Sequence, residues 1–211
     1  MKFLDAKSLI YLITDGEITA ENFAVKSSQT LELIKKAVES EISLIQIREK
    51  QISTKLLFEL SSTAAQITKN SATKLLINDR ADVAFASKAD GVHLTANSLP
   101  AKTIRADFPK DFIVGVSTHS LEKAQEAKIQ GADFITFGSV FHSPNKGKPV
   151  GLNALHKVSE ILKPFPVIAL GGIDETNFNK VLEIADGFAA IRFLNNAENL
   201  RKIFNAKTQR C

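Results

Sequence analysis

The chain has 211 residues, 44% hydrophobic and 24% charged, enough for one sizeable core and too few for two full domains. Ten glycines and six prolines exclude a collagen-like or low-complexity chain, and no fixed period of about 20 to 50 residues marks a solenoid. A formal charge of +4 suits small anions, but the lysines are scattered without interleaved aromatics, so no nucleic-acid partner is expected.

The first apolar run, Leu9 to Ile13, is broken at once by Thr14-Asp15-Gly16. It is too short for a membrane span and lacks the flanks of a signal peptide, so it reads as a buried strand and no membrane partner is expected. Seven further runs follow: Ser43–Ile47, Lys74–Ile77, Gly91–Leu94, Phe112–Val116, Phe134–Phe137, Val167–Leu170 and Gly187–Ile191. They are nearly continuous in apolar and β-branched residues, the pattern of strands covered on both faces. Between them lie helical spacings, such as Leu31, Ile34, Ala37 and Val38, then Leu56, Leu57, Leu60 and Ala64. Ser120 precedes another helix at a position suited to capping it. The lone cysteine, Cys211, excludes a disulfide framework and fits a reducing, cytoplasmic setting.

Eight strand–helix alternations predict an α/β chain folded as a closed (β/α)8 TIM barrel, a single domain over residues 1–211. The competing doubly wound sheet would carry a glycine fingerprint after its first strand, and Ile13-Thr14-Asp15-Gly16-Glu17 has none. The longest irregular segment, about Gly138 to Leu152, reads as an active-site loop.

Barrel chemistry sits at the carboxyl ends of strands, and polar residues collect there. Gln46, Arg48 and Lys50 alternate after the second run, so extended backbone points all three to one side. Two cations and an amide suit a diphosphate; the alternative is a surface salt-bridge patch involving Glu49. The third run ends in Asn78-Asp79-Arg80, where oxygen ligands suit Mg2+ or, alternatively, cap the next helix. His93 ends the fourth run, and Ser117-Thr118-His119-Ser120 ends the fifth, with His119 suited to acid–base work. His142 and His156 read as structural. Ser143, Asn145, Lys146 and Gly147 lie in the long loop after the sixth run, as an anion-gripping lid or as plain solvated loop. Gly171-Gly172 after the seventh lets backbone N–H groups approach a phosphate, or makes a tight turn. The eighth run ends at Ala190-Ile191-Arg192.

These residues resemble the thiamine phosphate synthase and thiazole tautomerase family over nearly the whole chain. Tyr11-Leu12-Ile13-Thr14-Asp15, Gln46-Ile47-Arg48-Glu49-Lys50, Ile77-Asn78-Asp79-Arg80, Asp90-Gly91-Val92-His93-Leu94, Gly115-Val116-Ser117-Thr118-His119-Ser120 and Gly171-Gly172-Ile173 match its motifs in order. The resemblance implies a transferase joining a pyrimidine-methyl diphosphate to a thiazole phosphate with Mg2+, releasing pyrophosphate. It implies that Gln46, Arg48, Lys50 and Asn78 hold the pyrimidine diphosphate, assisted by Ser117 and Lys146, with Asp79 a metal ligand. The thiazole phosphate would lie against Ser143, Gly172 and the backbone at Ile191-Arg192.

Three departures from the family pattern stand out. Ser98 stands where the synthases carry a second metal-binding aspartate, Arg192 where a serine follows the last strand, and Ser143 and Asn145 where the loop has two threonines. These departures keep two other readings open: a tautomerase acting on a carboxythiazole phosphate, and a non-catalytic binder of thiamine precursors. The intact diphosphate cradle favours the synthase. The oligomeric state, a homo-oligomer included, stays open.

Overall fold

The computed structural model describes residues 8–144 and 146–208, with side chains described through 204. Eight strands alternate with eight helices among these residues: β1 (Leu9–Ile13), α1 (Phe23–Glu39), β2 (Leu44–Ile47), α2 (Thr54–Thr68), β3 (Lys74–Asn78), α3 (Ala81–Ala86), β4 (Gly91–Leu94) and α4 (Ala101–Asp107). Then follow β5 (Ile113–Thr118), α5 (Leu121–Ile129), β6 (Phe134–Gly138), α6 (Gly151–Leu162), β7 (Val167–Leu170), α7 (Phe178–Leu182), β8 (Gly187–Ala190) and α8 (Ala197–Thr208). The strands neighbour one another in chain order in a closed barrel, β1-β2-β3-β4-β5-β6-β7-β8. This is the (β/α)8 architecture expected from the alternation, with each strand within two residues of its run.

Within the described residues the chain gathers into two compact units, residues 11–91 with 191–208, and residues 8–10 with 92–190. In the first, β1, β2 and β3 pair in parallel, Leu12 beside Ile45 and Ile45 beside Leu75. Helix α1 packs on α2 and α8, and α2 on α3. Ile34 and Ala37 of α1, and Leu57, Leu60 and Ala64 of α2, supply the buried faces. The Ser53 hydroxyl caps α2 by accepting the Leu56 N–H.

In the second unit β5, β6, β7 and β8 pair in parallel, Gly115 beside Phe134, Ile135 beside Val167 and Ile168 beside Gly187. Ser120 caps α5 as its position suggests, accepting the Lys123 N–H at 3.3 Å. Phe134 is wholly buried, worth about 2–3 kcal/mol. The absence of a side chain at Gly115 makes its seat: a Cβ there would stand 2.4 Å from the Phe134 ring and 2.7 Å from His93 Nδ1.

At the amino ends of the strands one device recurs three times. Asp90, Asp133 and Asp186 each follow an alanine and precede β4, β6 and β8. Their carboxylates accept the N–H of Leu75, Val114 and Val167 at 2.8, 2.7 and 2.8 Å. Their own N–H groups return bonds to the carbonyls of the same three residues. Each aspartate thus clasps the preceding odd-numbered strand. Lys74 adds an ion pair to Asp90 and Arg105 one to Asp133. Arg105 also donates to the carbonyls of Gly131 and Phe112. These clasps lie at the end of the strands that serves stability rather than chemistry.

Candidate functional site

In the first unit, the exits of β1, β2 and β3 build one cluster. Gln46 is 2% exposed and Asn78 8%, so their amides need partners. Gln46 Nε2 donates to Asn78 Oδ1 at 3.0 Å, and Asn78 Nδ2 donates to Asp79 Oδ2 at 2.7 Å. An ionised carboxylate only accepts. Asp79 therefore dictates that Asn78 presents its NH2, which in turn dictates that Gln46 presents its own. The orientation of two amides is set by one charge. Asp79 adopts φ 58°, the left-handed conformation that short polar side chains tolerate. The alternative of a side-chain cap is not taken: α3 has Arg80 at its cap position and no side-chain capping bond. Arg80 is tied instead to Asp82 through two nitrogens and to Thr54.

Glu49 does not join a surface salt-bridge patch. It is 5% exposed and turns to the loop after β1. Its Oε1 accepts the Thr14 hydroxyl at 2.6 Å and its Oε2 the Ile18 N–H at 3.0 Å. Burial pushes its carboxyl above the ordinary range, offset in part by these two donors and reinforced by the charge of Asp15. Arg48 is half-buried and Lys50 exposed. Among the described residues Arg48, Lys50, Lys146 and Arg192 form no ion pair. Cations held at strand ends without carboxylate partners suit an anionic ligand. Beyond β8, Ile191 is half-buried and Arg192 exposed. Asn195 braces that exit by donating to the carbonyls of both Ile13 and Ile191 at 2.7 Å.

In the second unit, His93 is 2% exposed, with Nε2 2.9 Å from Ser117 Oγ. Thr136 Oγ1 donates to Ser117 Oγ at 3.3 Å and lies 3.5 Å from His93 Nε2. These three side chains, from β4, β5 and β6, form one polar knot. His119 is exposed and its Nδ1 contacts the Gly138 carbonyl. A carbonyl accepts only, so Nδ1 is the donor in this contact. His142 and His156 are both exposed and outside this cluster.

Ser98 serves its own turn: its hydroxyl accepts the Thr95 N–H at 2.7 Å and lies 3.3 Å from Thr95 Oγ1. A cavity of about 320 Å3 opens beside it, lined by Ser98, Leu99, Val116, Ser117, His119 and Lys123 among others. The loop from β6 to α6 packs on the turn after β7. Val140 N and Phe141 N donate to the carbonyls of Leu170 and Gly171, both at 2.9 Å. A Cβ at Gly171 would stand 2.5 Å from Ser139 Cα, and one at Gly172 2.4 Å from the His142 carbonyl. Both glycines have positive φ, 105° and 67°. Their lack of side chains thus admits the neighbouring loop as well as any ligand. Ser143 is half-buried and Lys146 exposed. Asn145 lies outside the described residues.

Among the described residues no group of three or more His, Cys, Asp and Glu could hold a metal ion. A single carboxylate still fits Mg2+, which keeps several waters and borrows phosphate oxygens. Asp79, part exposed at the end of β3, has the donor chemistry for that. Thr14, Glu49, Thr136 and Asn195 were missed as site builders from the sequence. The signal available was a polar residue at the end of an apolar run, which Thr14 gives; Thr136 is instead a polar residue inside its run.

The thiamine monophosphate synthase family matches residues 10–194. The chain is 36% identical over 204 residues to the thiamine-phosphate synthase of Clostridium acetobutylicum, covering 95% of this chain and 92% of that one. It is 36% identical over 199 residues to the thiamine-phosphate synthase of Pyrococcus furiosus, covering 93% and 91%. Among solved structures, a thiamine phosphate pyrophosphorylase from Pyrococcus furiosus matches with a TM-score of 0.78 at 35% identity, over 93% of this chain and 95% of that one.

Proposed function

Since this chain belongs to the thiamine monophosphate synthase family, we propose that it joins a pyrimidine-methyl diphosphate to a thiazole phosphate, giving thiamine phosphate and pyrophosphate. The observation that carries the reading is the pairing of the Gln46–Asn78–Asp79 relay with two cations, Arg48 and Lys50, that have no carboxylate partner among the described residues. In the reaction the bond from the pyrimidine methylene to the diphosphate oxygen breaks, and its electron pair leaves with the diphosphate. The thiazole nitrogen then gives its pair to the methylene carbon. Negative charge builds on the leaving group, so Arg48 supplies paired N–H donors and Lys50 a compact charge where that charge grows. Gln46 and Asn78, oriented by Asp79, hold the rest of the same substrate, with His93, Ser117 and Lys146 assisting. Ser143, Gly171, Gly172 and the Ile191-Arg192 backbone receive the thiazole phosphate. Bound Mg2+ would neutralise diphosphate oxygens, and Asp79 would be its protein ligand. The whole chain then acts as one domain, in the cytoplasm, on small phosphorylated substrates. No helix among the described residues is long and apolar enough to cross a membrane.

The neutral hydroxyl of Ser98, engaged with Thr95, favours a second reading: a thiazole tautomerase, with no metal and His119 Nε2 moving the proton. The test is to incubate the pure protein with both synthase substrates and Mg2+ and follow pyrophosphate and thiamine phosphate. Equal yields of both are expected, abolished by Asp79→Ala. No product at high enzyme concentration overturns the proposal. A parallel assay with the carboxylated thiazole phosphate decides for the tautomerase, and binding without turnover in either assay for a non-catalytic binder.

A further inference from the structure

The loop from Thr14 to Thr19 is strapped to the exit of β2 by a set of bonds that converge on one buried carboxylate. Thr14 Oγ1 does two things at once: it donates to Glu49 Oε1 and accepts the Arg48 N–H at 2.9 Å. Glu49 Oε2 takes the Ile18 N–H. Gln51 Nε2 donates to the Gly16 carbonyl at 3.1 Å, and Thr19 bridges to Gln51. Gly16 has φ 82°, and a Cβ there would meet the Arg48 carbonyl at 3.2 Å and its Nη1 at 3.5 Å. The loop therefore grips the backbone on both sides of Glu49. Residues 48–50 follow directly on β2, so a carboxylate locked in place at 49 fixes the backbone from which Arg48 and Lys50 project.

We propose that Glu49 is a positioning residue: its buried carboxylate, held between the Thr14 hydroxyl and the Ile18 N–H, fixes the strand exit from which Arg48 and Lys50 meet a diphosphate. This deepens the proposed function and rests on it. A buried carboxylate is costly for this task unless its donors satisfy it, and here both oxygens are satisfied. Neutral Glu49→Gln keeps the volume but cannot accept both donors on its two end atoms. Thr14→Val keeps the shape and removes the shared hydroxyl, whereas Thr14→Ser retains it.

The experiment titrates inorganic pyrophosphate into wild type, Glu49→Gln, Thr14→Val and Thr14→Ser by calorimetry, with cooperative melting checked for each. KM is then measured for both synthase substrates. Glu49→Gln and Thr14→Val should weaken pyrophosphate binding and raise KM for the pyrimidine diphosphate by about ten-fold, leaving KM for the thiazole phosphate unchanged. Thr14→Ser should behave as wild type. Folded variants that bind pyrophosphate as wild type does overturn the proposal, as does an equal loss for both substrates, which marks a purely structural role. Should Glu49→Gln fail to fold, Thr14→Val decides on its own. Wild type that does not bind pyrophosphate overturns the functional reading itself, and the proposal with it.

Discussion

Arg48 is half-buried without an ion-pair partner among the described residues, and a guanidinium differs from an ammonium in its planar fork of donors. Arg48→Lys keeps the charge and loses the paired geometry, so kcat/KM for the pyrimidine diphosphate should fall even though net charge is unchanged. Arg48→Ala should cost about 10²–10³ in kcat, the usual worth of one charge-stabilising donor. Steady-state kinetics on the two variants separates geometry from charge; equal activities would remove the fork argument. Glu49 makes a second prediction, on stability. Its native carboxyl lies above the ordinary 4.5 because burial disfavours the ion, with hydrogen bonds from Thr14 and Ile18 opposing. Between those two values the folded chain holds more of a proton than the unfolded chain. Stability from this group is therefore lost as pH rises through that window. Glu49→Gln should flatten the slope of urea midpoint against pH above the ordinary carboxylate range. An unchanged slope would place the titration elsewhere.

The strand-end clasps act on whole elements. Asp133 holds Val114 of β5 and the Arg105 guanidinium of α4 at the start of β6. Asp133→Ala leaves both donors without that acceptor, a loss of about 2–3 kcal/mol. The urea midpoint should drop with little change in its m value, while KM for either substrate stays put, because the clasp sits at the stability end of the strands. A KM change would mean the two ends are coupled. At the other end of β7, Gly172→Ala places a Cβ 2.4 Å from a backbone carbonyl at φ 67°. That should cost roughly 1–3 kcal/mol and displace the loop after β6, raising KM for the thiazole phosphate rather than the pyrimidine diphosphate. The strands that carry these features were legible as apolar runs, since covering both faces of a parallel strand demands such residues. The clasps were not, although Ala-Asp recurs before Gly91, Phe134 and Gly187. Aspartate before a strand says nothing of its partner until that partner lies beside it.

A ligand that binds only the folded chain stabilises the whole of it. Pyrophosphate with Mg2+ at about one hundred times its Kd should raise Tm by roughly 5–10 °C, and Arg48→Ala should lose most of that shift at the same concentration. Scanning calorimetry measures both; equal shifts would place the anion away from Arg48. Much of the molecule was determined by sequence alone. The number and order of strands and the closed barrel follow from local patterns, and the proposed set Gln46, Arg48, Lys50, Asn78 and Asp79 was read from where polar residues interrupt them. Tertiary structure decided what those residues do to one another. Asp79 orients two amides from neighbouring strands, Glu49 turns inward to Thr14 and Ile18, and Ser98 spends its hydroxyl on Thr95. A run of residues specifies its own backbone and which faces are apolar. A side-chain hydrogen bond across some thirty residues is specified only when folding has set its two ends about 3 Å apart.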